Sequence, residues 1–567
     1  MTLRPFYIVA MLLGGTALVS AQKKDENIGT EVVNVVKPYT PTISDAFKVK
    51  ETPVLDDEET TDKEEIKYQI FSFPVASTFT PAKGRAASVD KEEKARLFAN
   101  YLTLGFGNYS NANAELFVNH AIDDNSYVGG MLRHFSSQGG IKEARLEDKF
   151  SDTSLDLGYG YNADNMTWNV DAGFKTSTYN WYGVDRELEN IVPDLYDTVD
   201  PQHAFNELYA GTRVRMNSGF FKEASIKYDR FWSDYDASEN RIVLKPSFAF
   251  DMGESALKLD LVVDYLGATT ATFGDFGYTN FGAKPSYTIR RNDWTIDLGV
   301  AAFYSADMEN TDSKFALYPA LNASLKVVGD LMVFYAGAEG TMQQNTYRDF
   351  AAENPFILPG VVLAPTDRQY DLFAGLKGKL ASTVSYNVRG SFLNEKNKAL
   401  FVHSSLLPPV TIDPDREGYQ YGNAFAVDYN DVKTFRFFGE IKAEFSKSVS
   451  FGLNGTFSAY DADGYDDVPN LPTLQLGTSL DVDITSKWYA GFKIFYTGER
   501  YDIDNTGTSV SLDPYFDANA HLGYRHNERW SAFLKLNNIA NQAYEKWLYY
   551  PVQSFQVMAG ANYKFDF

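Results

Sequence analysis

The feature that most limits what this chain can fold into is a two-residue period that runs to its last residue. In 555–567 every second side chain is apolar or aromatic: Phe555, Val557, Ala559, Ala561, Tyr563, Phe565, Phe567. The residues between them, Gln556, Met558, Gly560, Asn562, Lys564 and Asp566, are nearly all small or polar. Successive side chains of a strand point to opposite faces, so this stretch is a strand with one greasy and one wet side. The pattern recurs upstream. The apolar face is Leu257, Leu259, Leu261, Val263, Tyr265 in 255–265, and Trp294, Ile296, Leu298, Val300, Ala302, Tyr304 in 294–304. The stretches 449–459, 473–484 and 487–496 repeat it.

A soluble antiparallel sheet also alternates, so the connections have to separate the two readings. Tight turns built from Asn, Asp, Gly and Ser fall at 123–125, 163–165, 217–219, 252–254, 291–293, 328–330, 381–382, 446–448, 485–487 and 526–528. Long connections fall at 136–149, 180–203, 342–367, 403–422, 498–514 and 540–553. A strict alternation of short and long connections is the rhythm of an up-and-down transmembrane barrel. The expected fold is all-β, an antiparallel barrel of about 22 strands over 97–567, with both termini at the periplasmic side. A barrel of that width cannot be filled by wall side chains alone.

Composition agrees. Tyr (37) and Phe (42) lift the aromatic share to 15%, as interfacial girdles require. Mean hydropathy is negative, and no apolar run is long enough for a spanning helix. The absence of Cys excludes a disulfide framework and thiolate metal sites. A net charge of −23 argues against nucleic-acid binding.

Residues 1–21 have the form of a secretory signal: Arg4, then an apolar core 6–18, then Val19-Ser20-Ala21. Residues 22–96 are an irregular acidic segment, expected to be periplasmic and broken by Pro38, Pro41, Pro53, Pro74 and Pro81. Within it, 67–82 carries Ile70, Phe71, Phe73, Val75 and Phe79, which suits a piece folded back into the lumen; a separate protein is the other candidate occupant.

The end of the chain, 534–567, resembles TonB-dependent outer-membrane receptors. Asn538, Asn541 and Tyr544 match an N-x-x-N-x-x-Y element after the penultimate strand. Gly560, Tyr563, Phe565 and the terminal Phe567 stand at the spacing of the barrel-closing signal that the barrel-assembly machinery reads. Residues 345–357, NTYRDFAAENPFI, look like a loop of such receptors in the Bacteroidota. The folded plug domain of that family has no recognisable counterpart here. The segment 29–36, GTEVVNVV, is similar to a TonB box, which implies an arm (Glu31, Val32, Val33, Val35, Val36, Tyr39) that adds a strand to a periplasmic coupling protein.

Catalytic chemistry is not expected. His521 shares a wet face with Asp517 and Asn519, the polar lining of a barrel; His120 has no Ser placed to meet it; Asp461–Asp467 is calcium-like in composition but lacks the terminal Glu. No cofactor, metal or catalytic residue is assigned. The expected function is solute transport or reception, or membership of an outer-membrane complex. The alternative is an accessory barrel anchoring a periplasmic or surface partner without transport. Outer-membrane lipid and lipopolysaccharide complete the expected partners.

Overall fold

The computed structural model describes residues 98–567 apart from 143, 271, 311–312 and 406–415. The signal segment, residues 22–96 and therefore the whole TonB-box-like arm lie outside the described residues.

Twenty-two antiparallel strands form one closed sheet. Each pairs with its neighbours in chain order, and the last strand, Gln556–Phe565, pairs with the first, Asn100–Gly107, in a register running from Asn100↔Phe565 to Gly107↔Met558. Closure leaves no edge, which a lipid-embedded sheet requires. Side chains reinforce the joint: Thr103 Oγ1 donates to Asn562 Oδ1 at 2.6 Å, and Asn100 Nδ2 donates to the Phe565 carbonyl at 3.1 Å.

The alternating faces sort as the sequence period requires. Leu257, Tyr265, Trp294, Leu298, Val300, Tyr304, Leu453, Phe457, Leu476 and Leu480 are all exposed on the outside of the wall. Apolar side chains turned outward around a whole barrel are lipid-facing. The inward face is polar and charged, with one regularity that composition conceals. At Tyr127↔Gly160, Gly173↔Tyr209, Tyr335↔Gly375, Gly337↔Phe373 and Tyr489↔Gly523, an inward ring stands directly opposite a glycine on the next strand. In each case a Cβ on the glycine would collide with the ring. The glycines let the rings lie flat along the wall, so the lumen keeps its width.

All ten expected tight turns are present, each two to four residues long and all at one end of the barrel. The strict alternation of lengths does not hold at the other end, where the connections 108–111, 234–237, 271–273 and 308–312 are also short. Around the last three the flanking strands are long instead, up to 18 residues in Gly274–Arg291, where about 9–11 cross a bilayer; the strands flanking 108–111 have only 8 and 10 residues. Excess wall carries the last three hairpins beyond the lipid.

Candidate functional site at the loop end of the barrel

The long connections do not stand away from the barrel. Residues 344–365 fold inward, and the motif 345–357 is their core. Thr346 starts a helix, Tyr347–Glu353, by accepting the Asp349 N–H on its hydroxyl at 3.0 Å. That is an ordinary N-cap. The next free N–H groups meet a wall residue: Tyr347 N and Arg348 N donate to the two carboxylate oxygens of buried Glu239 at 2.7 and 3.1 Å. A carboxylate at a helix start satisfies orphan donors and suits the partial positive charge there.

The helix then anchors on two kinds of contact. Tyr347 packs edge-on against the inward rings of Phe205 and Phe231, at 5.9 and 5.4 Å between centroids. Arg348 reaches Glu207 at 2.9 Å and Asp229 at 3.6 Å, and Arg241 links Asp264 at 2.7 Å to Asp349 at 3.5 Å. Glu207, Asp229, Glu239, Arg241 and Asp264 all lie on the inward parity of four successive strands. The segment is thus a stopper seated on the inside of the wall.

Other connections close over it. Phe350 meets Phe401, Phe401 meets Trp547, and Phe356 stacks on Tyr550 at 3.8 Å. The stopper also bridges the top of the strand Phe425–Ser446: Phe425 N donates to the Phe356 carbonyl at 3.0 Å and Leu358 N to the Phe425 carbonyl at 2.8 Å. With Phe205, Phe231, Leu266, Ile357, Leu363 and Trp547 these residues form a single buried apolar cluster. Burial of this kind is worth roughly 1.5–3 kcal/mol per large side chain, so the loop end has the packing of a small domain core.

The N-x-x-N-x-x-Y element proves to be a device for the last connection. Asn538 and Asn541 take positive φ values of 45° and 52°, which Asn tolerates better than most residues. The Asn538 amide donates to the Gln542 and Gln553 carbonyls, and Asn541 Oδ1 accepts from Phe555 N. Tyr544 stacks on Tyr515 at 3.8 Å. Arg500, from the hairpin Arg500–Ile503 and Ser509–Leu512, donates to the carbonyls of Glu545 and Lys546 and so ties two connections together. Beside it Asp502 is buried and accepts from His403 N, Ile503 N and Asn470 Nδ2. Burial pushes its carboxyl up to about 6 despite those donors.

At the closing strand, Tyr563 lies against Trp530 at 4.6 Å and stacks on Phe565, which meets Phe567. Gly560 differs from these three. It points inward, and a Cβ there would strike the Phe533 ring and the Leu104 carbonyl. His521 lies inward over Gly491, opposite Lys535, and His120 is exposed near a turn. Among the described residues no group of His, Asp or Glu is arranged to hold a metal ion. The stopper's inward seating and the wall residues that receive it were not expected from the sequence; they share no short-range pattern.

Closed sheet, outward apolar belt and end-to-end asymmetry of connections define an outer-membrane type of β-barrel. The comparisons say which one. Residues 91–539 match the family described as TonB dependent receptor-like, beta-barrel, and the chain belongs to that family. Among solved structures it is similar to the FrpB iron transporter of Neisseria meningitidis, at 11% identity and TM-score 0.63, over 83% of this chain and 82% of that one. It is also similar to the ferric-catecholate import receptor Fiu of E. coli K12 (11%, TM-score 0.60, 83% and 82%). The siderophore receptor PirA of Acinetobacter baumannii is a third (10%, TM-score 0.62, 83% and 81%). At these identities the likeness is one of fold. No curated protein matches the chain.

Proposed function

We propose that this barrel is a gated receptor of the outer membrane, lying with its loop end outward and its tight turns in the periplasm, and that residues 344–365 are the gate. The observation that carries the reading is the stopper's mode of attachment. It is held to the inner wall by Arg348 with Glu207 and Asp229, and by Glu239 at its helix start. Half-buried ion pairs of this kind are strong only when complete, since a lone buried charge is costly. Such a contact breaks as a unit and suits a two-state gate.

The arm around Glu31–Tyr39 would supply the work. Paired edge-on with a TonB-like periplasmic protein, it would transmit force from the inner membrane. Passage of a solute through the released mouth is then the function, and its structural neighbours, an iron transporter and a siderophore receptor among them, favour the same class of activity. The Cys-free chain makes the test direct. With Phe350→Cys, an impermeant maleimide applied outside cells should label quickly when the arm is intact and the inner membrane energised. Labelling should slow at least tenfold with Val33→Pro, which removes a ladder N–H, or with a protonophore. Labelling that ignores both would sink the gate.

A further inference from the structure

The outward face of the wall changes character within two residues near the loop end of the first five strands. Cross-strand partners form rows across these strands. One row is wholly apolar: Leu102, Leu116, Leu132, Leu155 and Phe174. The next row towards the loop end reads Leu104, Ala114, His134, Thr153, Thr176, and the one beyond it Phe106, Ala112, Ser136, Ser151, Thr178. Leu132, Leu155, Leu104 and Phe106 are exposed, so all three rows lie on the lipid side. The third strand, Ser126–Ser137, starts at a tight turn and has 12 residues. About 9–11 residues of a tilted strand cross a bilayer. Its last outward positions, His134 and Ser136, therefore stand at the loop-end interface, at the level where the acyl esters of lipids lie.

His134 divides its ring nitrogens between two hydroxyls. Nε2 lies 3.1 Å from Ser136 Oγ, two residues on in its own strand, and Nδ1 lies 2.8 Å from Thr153 Oγ1, directly opposite. Residues 134 and 136 share a face only because the segment is a strand. A histidine at a lipid boundary needs polar partners whatever its role. What this arrangement adds is a serine on one nitrogen and an orienting acceptor on the other. With the proton on Nδ1 and donated to Thr153, Nε2 presents its lone pair to the Ser136 hydroxyl, the relation that activates a serine nucleophile. Ala112 and Ala114 leave a trough beside the pair, walled on its far side by Leu104 and Phe106. Ser151 stands directly opposite Ser136. The Cβ atoms of such a pair are about 4.5–5.5 Å apart.

We propose that Ser136, His134 and Thr153 form a lipid-facing serine esterase site that cleaves the acyl ester of an outer-leaflet lipid, given the orientation proposed above. The acyl chain lies in the trough over Ala112 and Ala114, which is also the approach to Ser136, itself only 9% exposed. His134 Nε2 takes the Ser136 proton as Oγ bonds to the ester carbonyl carbon. The Ser151 hydroxyl donates to the oxyanion that forms. The bond from that carbon to the lipid's alcohol oxygen breaks, and Nε2 returns the proton to the departing oxygen. Interfacial water then adds its oxygen to the acyl carbon and gives a proton to Nε2. The Ser136–acyl bond breaks, Oγ regains the proton and the fatty acid leaves. Thr153 is a positioning residue, acting through the histidine.

The test uses the full chain in nanodiscs with an alkyl fluorophosphonate, which phosphonylates activated serines. The adduct should map to Ser136. It should vanish in Ser136→Ala and form about a hundredfold more slowly in His134→Asn, with heat-modifiable gel migration reporting a folded barrel. Labelled palmitate should be released from phosphatidylethanolamine or from ester-acylated lipid A, offered separately, and the lipid that is cleaved identifies the source of the ester. Release should fall to background in Ser136→Ala prepared in parallel, which excludes a contaminating hydrolase. Thr153→Val should lower kcat about tenfold with KM unchanged, and Thr153→Ser should restore it. No adduct at Ser136, acyl release from neither lipid, or release that persists in Ser136→Ala would each overturn the site.

Discussion

The two ends of this barrel are built on different principles. At the tight-turn end each connection joins strands adjacent in sequence, and its geometry is settled within a few residues. At the loop end, Tyr182 packs on Tyr550, Arg348 on Glu207, and Asn423 Nδ2 donates to the Trp181 carbonyl at 3.0 Å. Contacts made across hundreds of residues can be lost together while the wall stays closed, because the wall's ladder does not depend on them. A gate placed there can open without unfolding the barrel.

That contrast can be broken from either side. The largest effect is expected at the loop end: Phe350→Ala removes a buried ring from the apolar cluster, a change that typically costs about 3–5 kcal/mol. Hydrogen exchange at the Tyr347–Glu353 amides should accelerate by two orders of magnitude or more, while the urea midpoint of the barrel stays put. A fall in that midpoint would mean that the two ends are one cooperative unit. On the wall, Leu298→Arg places a charge in the lipid belt and should cost about 2–4 kcal/mol of barrel stability. It should leave exchange in the stopper helix unchanged, read in the same pair of experiments.

A smaller effect is expected where rings lie on glycines. Gly160→Ala should cost about 1–3 kcal/mol by forcing the Tyr127 ring off the wall. Tyr127→Ala in the same chain should recover most of that loss; no recovery would assign the cost to the strand backbone. The smallest concerns pH. Burial raises the Asp502 carboxyl to about 6 in the folded loop, above its value of about 3.9 in an unfolded chain. The folded state therefore binds the proton more tightly, and the stability this group contributes is full below pH 4 and lost as pH rises through 6. Protease protection of 498–514 should decline over that window, and Asp502→Asn should flatten the decline. A slope that survives the substitution would point to another group.

The same contrast explains what could be read in advance. A period of two is a local property, so Leu257 to Tyr265 or Trp294 to Tyr304 declare their outward faces on sight, and Asn217-Ser218-Gly219 declares a turn. The motif 345–357 was visible as a motif, yet its seat on Glu239, Glu207 and Asp229 depends on which strands closure brings beneath it. Asn538 and Asn541 were legible as part of an element, and their positive φ gives that element a structural reason. The short hairpins at 234–237 and 271–273 were missed because extra strand length replaced loop length. Pro319 is a rule-breaker in a central strand, and its meaning emerges only beside the strand Met332–Gln343, whose ladder with it stops at Ala320↔Glu339.

The most direct test of a mouth closed by its own loops is single-channel conductance of the purified chain in a planar bilayer. Wild-type protein should hold a small, quiet conductance. Arg348→Ala combined with Phe350→Ala, which frees the stopper from both its charged and its apolar anchor, should give frequent openings several times larger, with the barrel still heat-modifiable on a gel. A large stable pore in the wild-type chain, or a conductance indifferent to the double variant, would contradict the account.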